Sequence, residues 1–312
     1  MIHIACCSNE KLAPIFGVVM TSVGVNVKSD NVMMYLLHNG LKDKTKKRLN
    51  KIAERFDIGL KLLQINSSLL KDCPTNKNIH YADIMMYARL LLASMLPNLM
   101  KVIYLDCDIV VLKDLKELWE FDVSKTAVGM CPDLKYKDQE TLERLGLTSD
   151  YYLNSGVIVM NLDYWREHDI QNKLLTYIAN KGDKLIYNDQ DALNVVLRNE
   201  RKILPCKFNI TRFHFYKSLL HFPEEIHNEI IAARDNTVIL HFMGPTKPWA
   251  LGNYLVGNNL FTKYQKLSGW RYRTINKQLA KRILYTTIPY MNKNSWENKN
   301  YIEGWEKYYK NL

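Results

Sequence analysis

The sequence predicts an α/β fold in which a mainly parallel central sheet is flanked by helices. Strand-like apolar runs alternate with helix-like runs in the first third of the chain, and strands separated by helices pair in parallel through right-handed crossovers. The composition is globular, since 47% of the 312 residues are hydrophobic and 24% are charged. No apolar run reaches the roughly 18 residues that a membrane-spanning helix needs, so an integral membrane protein is not expected.

The predicted elements follow the local patterns of apolar residues in order along the chain. The predicted strands cover residues 2–7, 31–37, 60–65 and 101–111. The predicted helices cover residues 11–25, 43–56 and 81–96. Ligands of such sheets bind beyond the carboxyl ends of the strands, so the segments that follow the strands are the candidate site.

Positive charge is concentrated at the end of the sequence. The chain carries a net charge of +11, and residues 263–312 hold eleven Lys or Arg, three Glu and ten aromatic residues. Cations interleaved with Trp and Tyr suit an anionic membrane surface, whereas a solvated helix and nucleic-acid binding are the alternatives. The nearly neutral remainder argues against a nucleic-acid-binding protein. We therefore divide the chain into a main domain, residues 1–262, and a basic, aromatic extension, residues 263–312.

The cysteines and the first residues indicate the cellular compartment. The six cysteines form no CxxC pair, which favours reduced, buried thiols over a disulfide framework. The first residues read as a strand and have neither a basic segment nor a cleavage site of a signal peptide. We therefore expect a cytoplasmic protein.

The most informative local pattern is an apolar run that leads into two carboxylates, Asp106 and Asp108. Strand periodicity predicts that they share one face while Cys107 faces the other way. Such a pair suits a hard divalent cation that also binds phosphate, and burying it uncompensated would be costly. Asp-x-Asp by itself is common, and a second copy occurs at 189–191. A structural pair in an exposed loop is the alternative.

Three further patterns put polar residues at the ends of predicted elements. Residues 154–156 form a polar turn before an apolar strand, and Asp189 and Gln190 begin a helix. His241 ends an apolar strand, where its nitrogen would favour manganese over magnesium, and Lys247 follows as a cation for a diphosphate. Ordinary loop chemistry, helix capping and a structural histidine are the alternatives.

Together these patterns resemble glycosyltransferase family 8, which has the GT-A fold. The resembling motifs are YARL at 87–90, YLDCD at 104–108, NSGV at 154–157, NDQD at 188–191 and HFMGPTKPW at 241–249. They stand in the family's order and at about its spacing, and the match covers roughly residues 1–250. The chain is most similar to bacterial lipooligosaccharide galactosyltransferases and lipopolysaccharide glucosyl- and galactosyltransferases.

The resemblance implies a retaining transferase that moves galactose or glucose from a UDP-hexose to a saccharide or glycolipid acceptor, with Mn²⁺, or alternatively Mg²⁺, as cofactor. The metal ligands implied by the matching motifs are Asp106, Asp108 and His241. The residues implied at the UDP moiety are Cys6, Cys7, Asn9, Asp106, Cys107, Asp108, His241, Gly244 and Lys247. The residues implied at the donor sugar are Arg89, Asn154, Ser155, Asp189 and Gln190, and the catalytic residues are Asp189 and Gln190.

Two further expectations concern the mechanism and the first loop. A neutral amide is a weak nucleophile, so we favour front-face attack with Asp189 as the electrostatic residue over a covalent intermediate on Gln190. Relatives often carry a run like Asp-Asp-Asn-Tyr after the first strand. This chain has NEKL at residues 9–12 instead.

The rival functions differ from the favoured one in identifiable features. One rival is a metal-dependent nucleotidyltransferase or sugar-nucleotide hydrolase, and nucleotidyltransferases usually need a glycine-rich first loop, which residues 6–11 lack. A self-glucosylating protein of the glycogenin type shares the fold, and a basic nucleic-acid-binding protein would explain the net charge alone. For the favoured function, residues 263–312 would hold the enzyme at the inner face of the cytoplasmic membrane, and no nucleic acid is expected as a partner.

Overall fold

A computed structural model of the chain describes residues 1–74, 83–148, 150–220, 222–251 and 255–275. Most of the predicted extension, residues 276–312, lies outside the described residues. The strands are β1 (Ile2–Ser8), β2 (Val32–His38), β3 (Gly59–Gln64), β4 (Lys101–Leu105), β5 (Ile109–Val111), β6 (Val128–Pro132), β7 (Leu153–Asn161), β8 (Arg201–Ile203), β9 (Ile210–Thr211), β10 (Ile239–His241), β11 (Ala250–Leu251) and β12 (Thr274–Ile275). The α-helices are α1 (Ala13–Asn26), α2 (Asp43–Arg55), α3 (Leu92–Met95), α4 (Lys116–Glu120), α5 (Gln139–Leu145), α6 (Leu162–Glu167), α7 (Ile170–Lys181), α8 (Asn188–Val196), α9 (His227–Asp235) and α10 (Asn258–Ser268). Among the residues described, no helix combines the length and the apolar character needed to cross a bilayer.

The main sheet confirms the predicted α/β class. Within the described chain it has seven strands in the order β3-β2-β1-β4-β7-β6-β8. The first four are mutually parallel, β7 runs antiparallel to both of its neighbours, and β6 pairs in parallel with β8. The carboxyl ends of β1, β4 and β6 therefore meet at one edge of the sheet.

Both faces of the main sheet are covered by helices because its strands are apolar on both sides. Successive residues of β1 show this, since Ile4 belongs to the core beneath α1 and α2 while Ala5 belongs to the core beneath α6, α7 and α8. Helix α1 is buried on nearly every side because it lies between the sheet, α2 and α10. Each side of the sheet therefore has its own core.

The prediction of one strand over residues 101–111 is wrong, because the chain changes sheets within it. β4 ends at Leu105, and β5 belongs to a separate sheet in which it pairs antiparallel with β10, beside β9. Residues 106–108 connect the two sheets through hydrogen bonds from the Asp106 amide to the Gly156 carbonyl (2.8 Å) and from the Phe242 amide to the Asp108 carbonyl (2.8 Å). The two carboxylates therefore lie in a connection and not along one face of a strand.

Other predicted elements differ in detail. The described part of the predicted helix 81–96 is a 3₁₀-helix, Ile84–Leu91, followed by α3, and it begins where the Asp83 side chain accepts from the Met85 amide (2.9 Å). Residues 154–156 lie inside β7 instead of in a turn before it. The helix predicted at residue 188 is confirmed as α8. Helix α10 crosses the proposed boundary between residues 262 and 263 and packs on α1 through the buried Tyr264.

Candidate active site

A cavity of about 610 Å³ opens at the edge where the carboxyl ends of β1 and β4 meet β10. All of the predicted site residues except Cys6 line it. Cys6 is completely buried in the core beneath α1 and α2, because its side chain points to the opposite face of β1 from that of Cys7. The structure therefore brings together residues that the sequence spreads over more than 230 positions.

Arg89 is a buried cation in the lining of the cavity. Its Nη2 lies 2.9 Å from Asp106 Oδ1, its Nε lies 3.1 Å from Asp189 Oδ2, and its Nη1 donates to the Ser155 carbonyl. The guanidinium also lies 4.3 Å from the ring centre of Tyr104, whose hydroxyl donates to Asp106 Oδ1 (2.8 Å). One buried cation thus fixes two carboxylates that come from different elements.

Asp108 is held by two basic side chains from the segment that includes and follows β10. Lys247 Nζ forms an ion pair with Asp108 Oδ2 and donates to the Phe242 carbonyl (3.0 Å), while His241 Nε2 lies 3.3 Å from Asp108 Oδ1. Burial raises the pKa of Asp108, but the adjacent Lys247 and His241 outweigh it and hold that pKa well below its usual range. Asp108 is therefore ionised at neutral pH.

His241 is oriented by a buried chain of amides. Its Nδ1 lies 2.9 Å from Asn209 Oδ1, and Asn209 Nδ2 donates to Asn154 Oδ1 (2.8 Å). Asn209 thus accepts from His241 Nδ1, which orients the ring so that Nε2 faces Asp108. The ring fits because residue 156 is glycine, since a Cβ there would lie 2.4 Å from His241 Cε1.

The chemistry of this cluster fits a divalent cation. Ligand atoms of Asp106, Asp108 and His241 lie within 4.8 Å of one another, and an oxygen and nitrogen set of this kind suits Mn²⁺ or Mg²⁺. His241 Nε2 and Asp108 Oδ1 face each other at 3.3 Å, a separation at which a bound cation could contact both. The cavity lining also holds more carboxyl groups (Asp83, Asp106, Asp108, Asp133 and Asp189) than permanent cations (Arg89, Lys135 and Lys247).

Gln190 faces the backbone of β7. Its Oε1 accepts from the Ser155 amide (3.0 Å) and from Asn154 Nδ2 (3.2 Å), and its Nε2 lies 3.3 Å from Asp133 Oδ2. Asp133 also accepts from Asn154 Nδ2 (2.8 Å), and burial raises the pKa of Asp133. The lone pairs of the Gln190 amide oxygen are therefore already engaged by donors.

The two acidic residues at the start of α8 have different environments. Asp189 lines the cavity, and burial, opposed by Arg89, raises its pKa to about 6. Asp191 is fully buried outside the cavity lining, where it pairs with Arg144 (2.9 Å), accepts from the Tyr152 hydroxyl (2.5 Å) and accepts from the Ile186 amide (2.8 Å). The second Asp-x-Asp pattern therefore joins one cavity residue to one residue that holds α8 in place.

The structure shows what Asn9 and Glu10 do in the first loop, where this chain departs from the acidic run that relatives often carry. Asn9 lines the cavity and donates to Asp83 Oδ2 (2.6 Å). Glu10 is absent from that lining and instead accepts from the Lys42 amide (3.0 Å) and the Thr45 hydroxyl (2.8 Å) at the start of α2. An acidic residue at position 10 therefore supports α2 in this chain.

Sequence reasoning missed several residues of the site. Asp133 directly follows the apolar strand β6, as Asp106 follows β4, so the rule that located Asp106 also applied to it. Asp83 lies four residues before the motif at 87–90, and Tyr104 is the first residue of the motif at 104–108, although no role was assigned to it. Asn209 carries no sequence signal, because its role arises from a contact with a residue 32 positions away.

The comparisons with known proteins agree with this geometry. The family model described as Glycosyl transferase family 8 matches residues 3–251. General stress protein A of Bacillus subtilis (strain 168) is 27% identical over 257 residues, which cover 80% of this chain and 87% of that protein. The lipopolysaccharide 1,2-glucosyltransferase of Escherichia coli (strain K12) is 27% identical over 75% of this chain and 68% of its own length. The lipopolysaccharide 1,3-galactosyltransferase of Salmonella typhimurium (strain LT2) is 27% identical, with 82% and 74% covered.

A solved structure matches the fold. The crystal structure of the galactosyltransferase LgtC, in complex with donor and acceptor sugar analogs, superposes with a TM-score of 0.78 at 24% identity and covers 90% of this chain and all of that one. The predicted GT-A architecture is thereby confirmed.

Asn209→Ala should weaken Mn²⁺ binding about 10- to 100-fold, because His241 loses the acceptor that fixes its proton on Nδ1. Asn209→Asp keeps the acceptor for His241 but loses the donor to Asn154, so its affinity should fall less than that of Asn209→Ala. Titration of Mn²⁺ followed by electron paramagnetic resonance measures both variants. Equal affinities for Asn209→Ala and the unchanged protein would contradict the assigned orientation of His241.

Asp189→Asn and Asp191→Asn should have opposite effects on the free energy of unfolding in metal-free buffer. Asp191→Asn should lower the free energy of unfolding by about 3 kcal/mol, because Arg144 loses its buried partner.

The raised pKa of Asp189 means that the folded state keeps a proton which the unfolded chain releases. The contribution of Asp189 to the free energy of unfolding therefore decreases as the pH rises from 4 to 6. Asp189→Asn should remove that decrease and gain about 2 kcal/mol relative to the unchanged protein between pH 4 and 7. Urea unfolding at several pH values measures both, and a parallel pH dependence of Asp189→Asn and the unchanged protein would contradict the assignment.

Proposed function

The chain belongs to glycosyltransferase family 8, and on that premise we propose that it is a retaining hexosyltransferase that moves galactose or glucose from UDP to a saccharide acceptor. The observation that carries the proposal is the convergence of Asp106, Asp108, His241 and Lys247 at the connection between the two sheets. Carboxylates, an imidazole and an ammonium group together suit a metal-bound diphosphate. The similarity to lipopolysaccharide glucosyl- and galactosyltransferases supports a hexose as the transferred sugar.

For the diphosphate, we assign the metal ligands to Asp106, Asp108 and His241. A bound Mn²⁺, or alternatively Mg²⁺, supplies positive charge against the leaving diphosphate. Lys247 adds a second positive charge at the same place, and Gly244 has a φ of +93° that favours glycine and leaves its backbone open to the phosphate. Cys7, Asn9 and Cys107 extend the proposed UDP contacts along the same wall of the cavity.

For the donor sugar, we assign Arg89, Asn154, Ser155, Asp189 and Gln190. The Arg89 contacts hold Asp189 at the cavity wall, where its negative charge stabilises the positive charge that develops on the anomeric carbon. Gln190 positions the Ser155 backbone and Asn154, and its engaged amide oxygen makes it a poor nucleophile. Both features support front-face attack over a covalent intermediate. A hexose found covalently bound to Gln190 after incubation with donor would contradict this mechanism.

We propose that the acceptor is a lipid-linked saccharide and that the protein works at the inner face of the cytoplasmic membrane. The support is the charge and aromatic content of residues 263–312. The described part of this segment, residues 263–275, is anchored on the main domain, where Trp270 is buried.

Deleting residues 276–312 should weaken binding of the protein to anionic phospholipid vesicles, because the deletion removes seven Lys or Arg while leaving Trp270 in place. Hydrolysis of the UDP-sugar should persist, since every assigned site residue precedes the deletion. Vesicle co-sedimentation and UDP release measure the two properties. Unchanged vesicle binding would contradict the role of this segment.

A panel of sugar nucleotides tests the reaction itself. UDP-galactose or UDP-glucose should release UDP faster than GDP-mannose or UDP-N-acetylglucosamine, and EDTA should abolish the release. Early proton NMR spectra should show the α-anomer of the free hexose, and the intact mass of the protein should not gain a hexose unit. A preference for a guanosine nucleotide would contradict the proposed donor, and a protein-bound hexose would favour self-glucosylation.

A further inference from the structure

Helix α2 presents five cations on one exposed face: Lys44, Lys47, Arg48, Lys51 and Arg55. We call this set the α2 basic face. The intervals of three and four residues place all five within about 100° of arc around the helix, and all are exposed. Within the described chain, none of the five forms an ion pair with a carboxylate, whereas the neighbouring Lys46 lies 3.6 Å from Asp43.

Four members of the face surround one shallow depression. Lys44, Lys47, Arg48 and Lys51 are its lining residues, and its volume is about 410 Å³. Like charges this close repel one another, and none of the four forms an ion pair with a described carboxylate. An anionic group such as a phosphate has the charge that suits the depression and is small enough to enter it.

The α2 basic face contacts the end of α10 and the chain that follows it, and that chain in turn contacts a residue of the active-site cavity. Arg55 donates to the Leu267 carbonyl (2.7 Å), and Arg48 lies 5.2 Å from the ring centre of Trp270. The Thr274 amide then donates to the carbonyl of Trp249, which lines the cavity (2.9 Å). At the other end of the face, α2 begins beside Glu10, the neighbour of the cavity residue Asn9. A flat anionic surface on this face would therefore lie close to the cavity.

We propose that the α2 basic face docks on an anionic phospholipid bilayer, with lipid phosphates in the depression between its cations. The exposed Lys263, Lys266 and Arg271 continue the positive charge along the adjoining chain. Single-stranded nucleic acid is bound through exposed aromatic rings beside cations, whereas the ring here, Trp270, is buried beneath Arg48. The inference rests on the proposed function for its biological purpose and adds the folded domain to the membrane contact proposed for residues 263–312.

The test compares K44Q/K47Q/K51Q with K125Q/K173Q/K181Q in the full chain. The second variant removes the same charge from exposed lysines, two of which lie on α7, on the opposite face of the main sheet from α2. Arg48 and Arg55 are kept because they contact residues 267–270. Binding is measured by co-sedimentation with phosphatidylglycerol vesicles and with phosphatidylcholine vesicles at low salt, and UDP release is measured without vesicles.

The α2 variant should lose affinity for phosphatidylglycerol vesicles on the order of 100-fold, while the control variant changes little, because each cation at the surface contributes separately. Equal losses of vesicle affinity in the two variants would mean that only the net charge of the protein matters, and would overturn the proposal. Unchanged vesicle binding of the α2 variant would also overturn it. Displacement by millimolar glycerol phosphate would identify a site for free phosphate, and stronger binding to single-stranded DNA would identify nucleic acid. Both outcomes overturn it as well. Absence of UDP release from every protein would contradict the proposed function and leave the vesicle result standing.

Discussion

The structure depends on the neutralisation of two partly buried carboxylates where the chain passes from one sheet to another. Asp106 and Asp108 lie in that connection, and each is held by a cation from another element, Arg89 or Lys247. A carboxylate left there without a partner would be destabilising, so these ion pairs join β4, the 3₁₀-helix before α3 and the segment after β10 at one point. The fold thereby concentrates charge at the edge of the sheet.

The same arrangement explains how a stable protein can hold a reactive site. Lys247 neutralises Asp108, and the amide chain from His241 through Asn209 to Asn154 fixes the imidazole. A diphosphate bound together with a divalent cation would replace some of these ion pairs, and the side chains that bind it would already be in position. Little reorganisation of the site would therefore be required. Such preorganisation favours charge development in the transition state.

Local patterns in the sequence predicted the strands and helices whose formation depends on the residues within them. Apolar runs located β1, β2 and β3, and the motif residues gathered at one cavity. The uninterrupted apolar pattern around Asp106 and Asp108 concealed the change of sheet, because strand periodicity carries no information about which sheet a strand joins. The same limit applies to Asn209, whose function comes from packing against His241. Cys6 was predicted to contact the ligand, but its side chain faces the core beneath α1. The alternation of side chains along a strand would have indicated that Cys6 and its neighbour cannot both face the cavity.

We propose above all that Asp106, Asp108 and His241 form a metal-dependent UDP site. The decisive experiment is a calorimetric titration with UDP, with Mn²⁺ and with EDTA, on the unchanged protein, on Asp108→Asn and on Asp122→Asn as an exposed control. We expect UDP binding that requires Mn²⁺, disappears in Asp108→Asn and persists in Asp122→Asn. UDP binding of equal strength with and without the metal, or unaffected by Asp108→Asn, would contradict it.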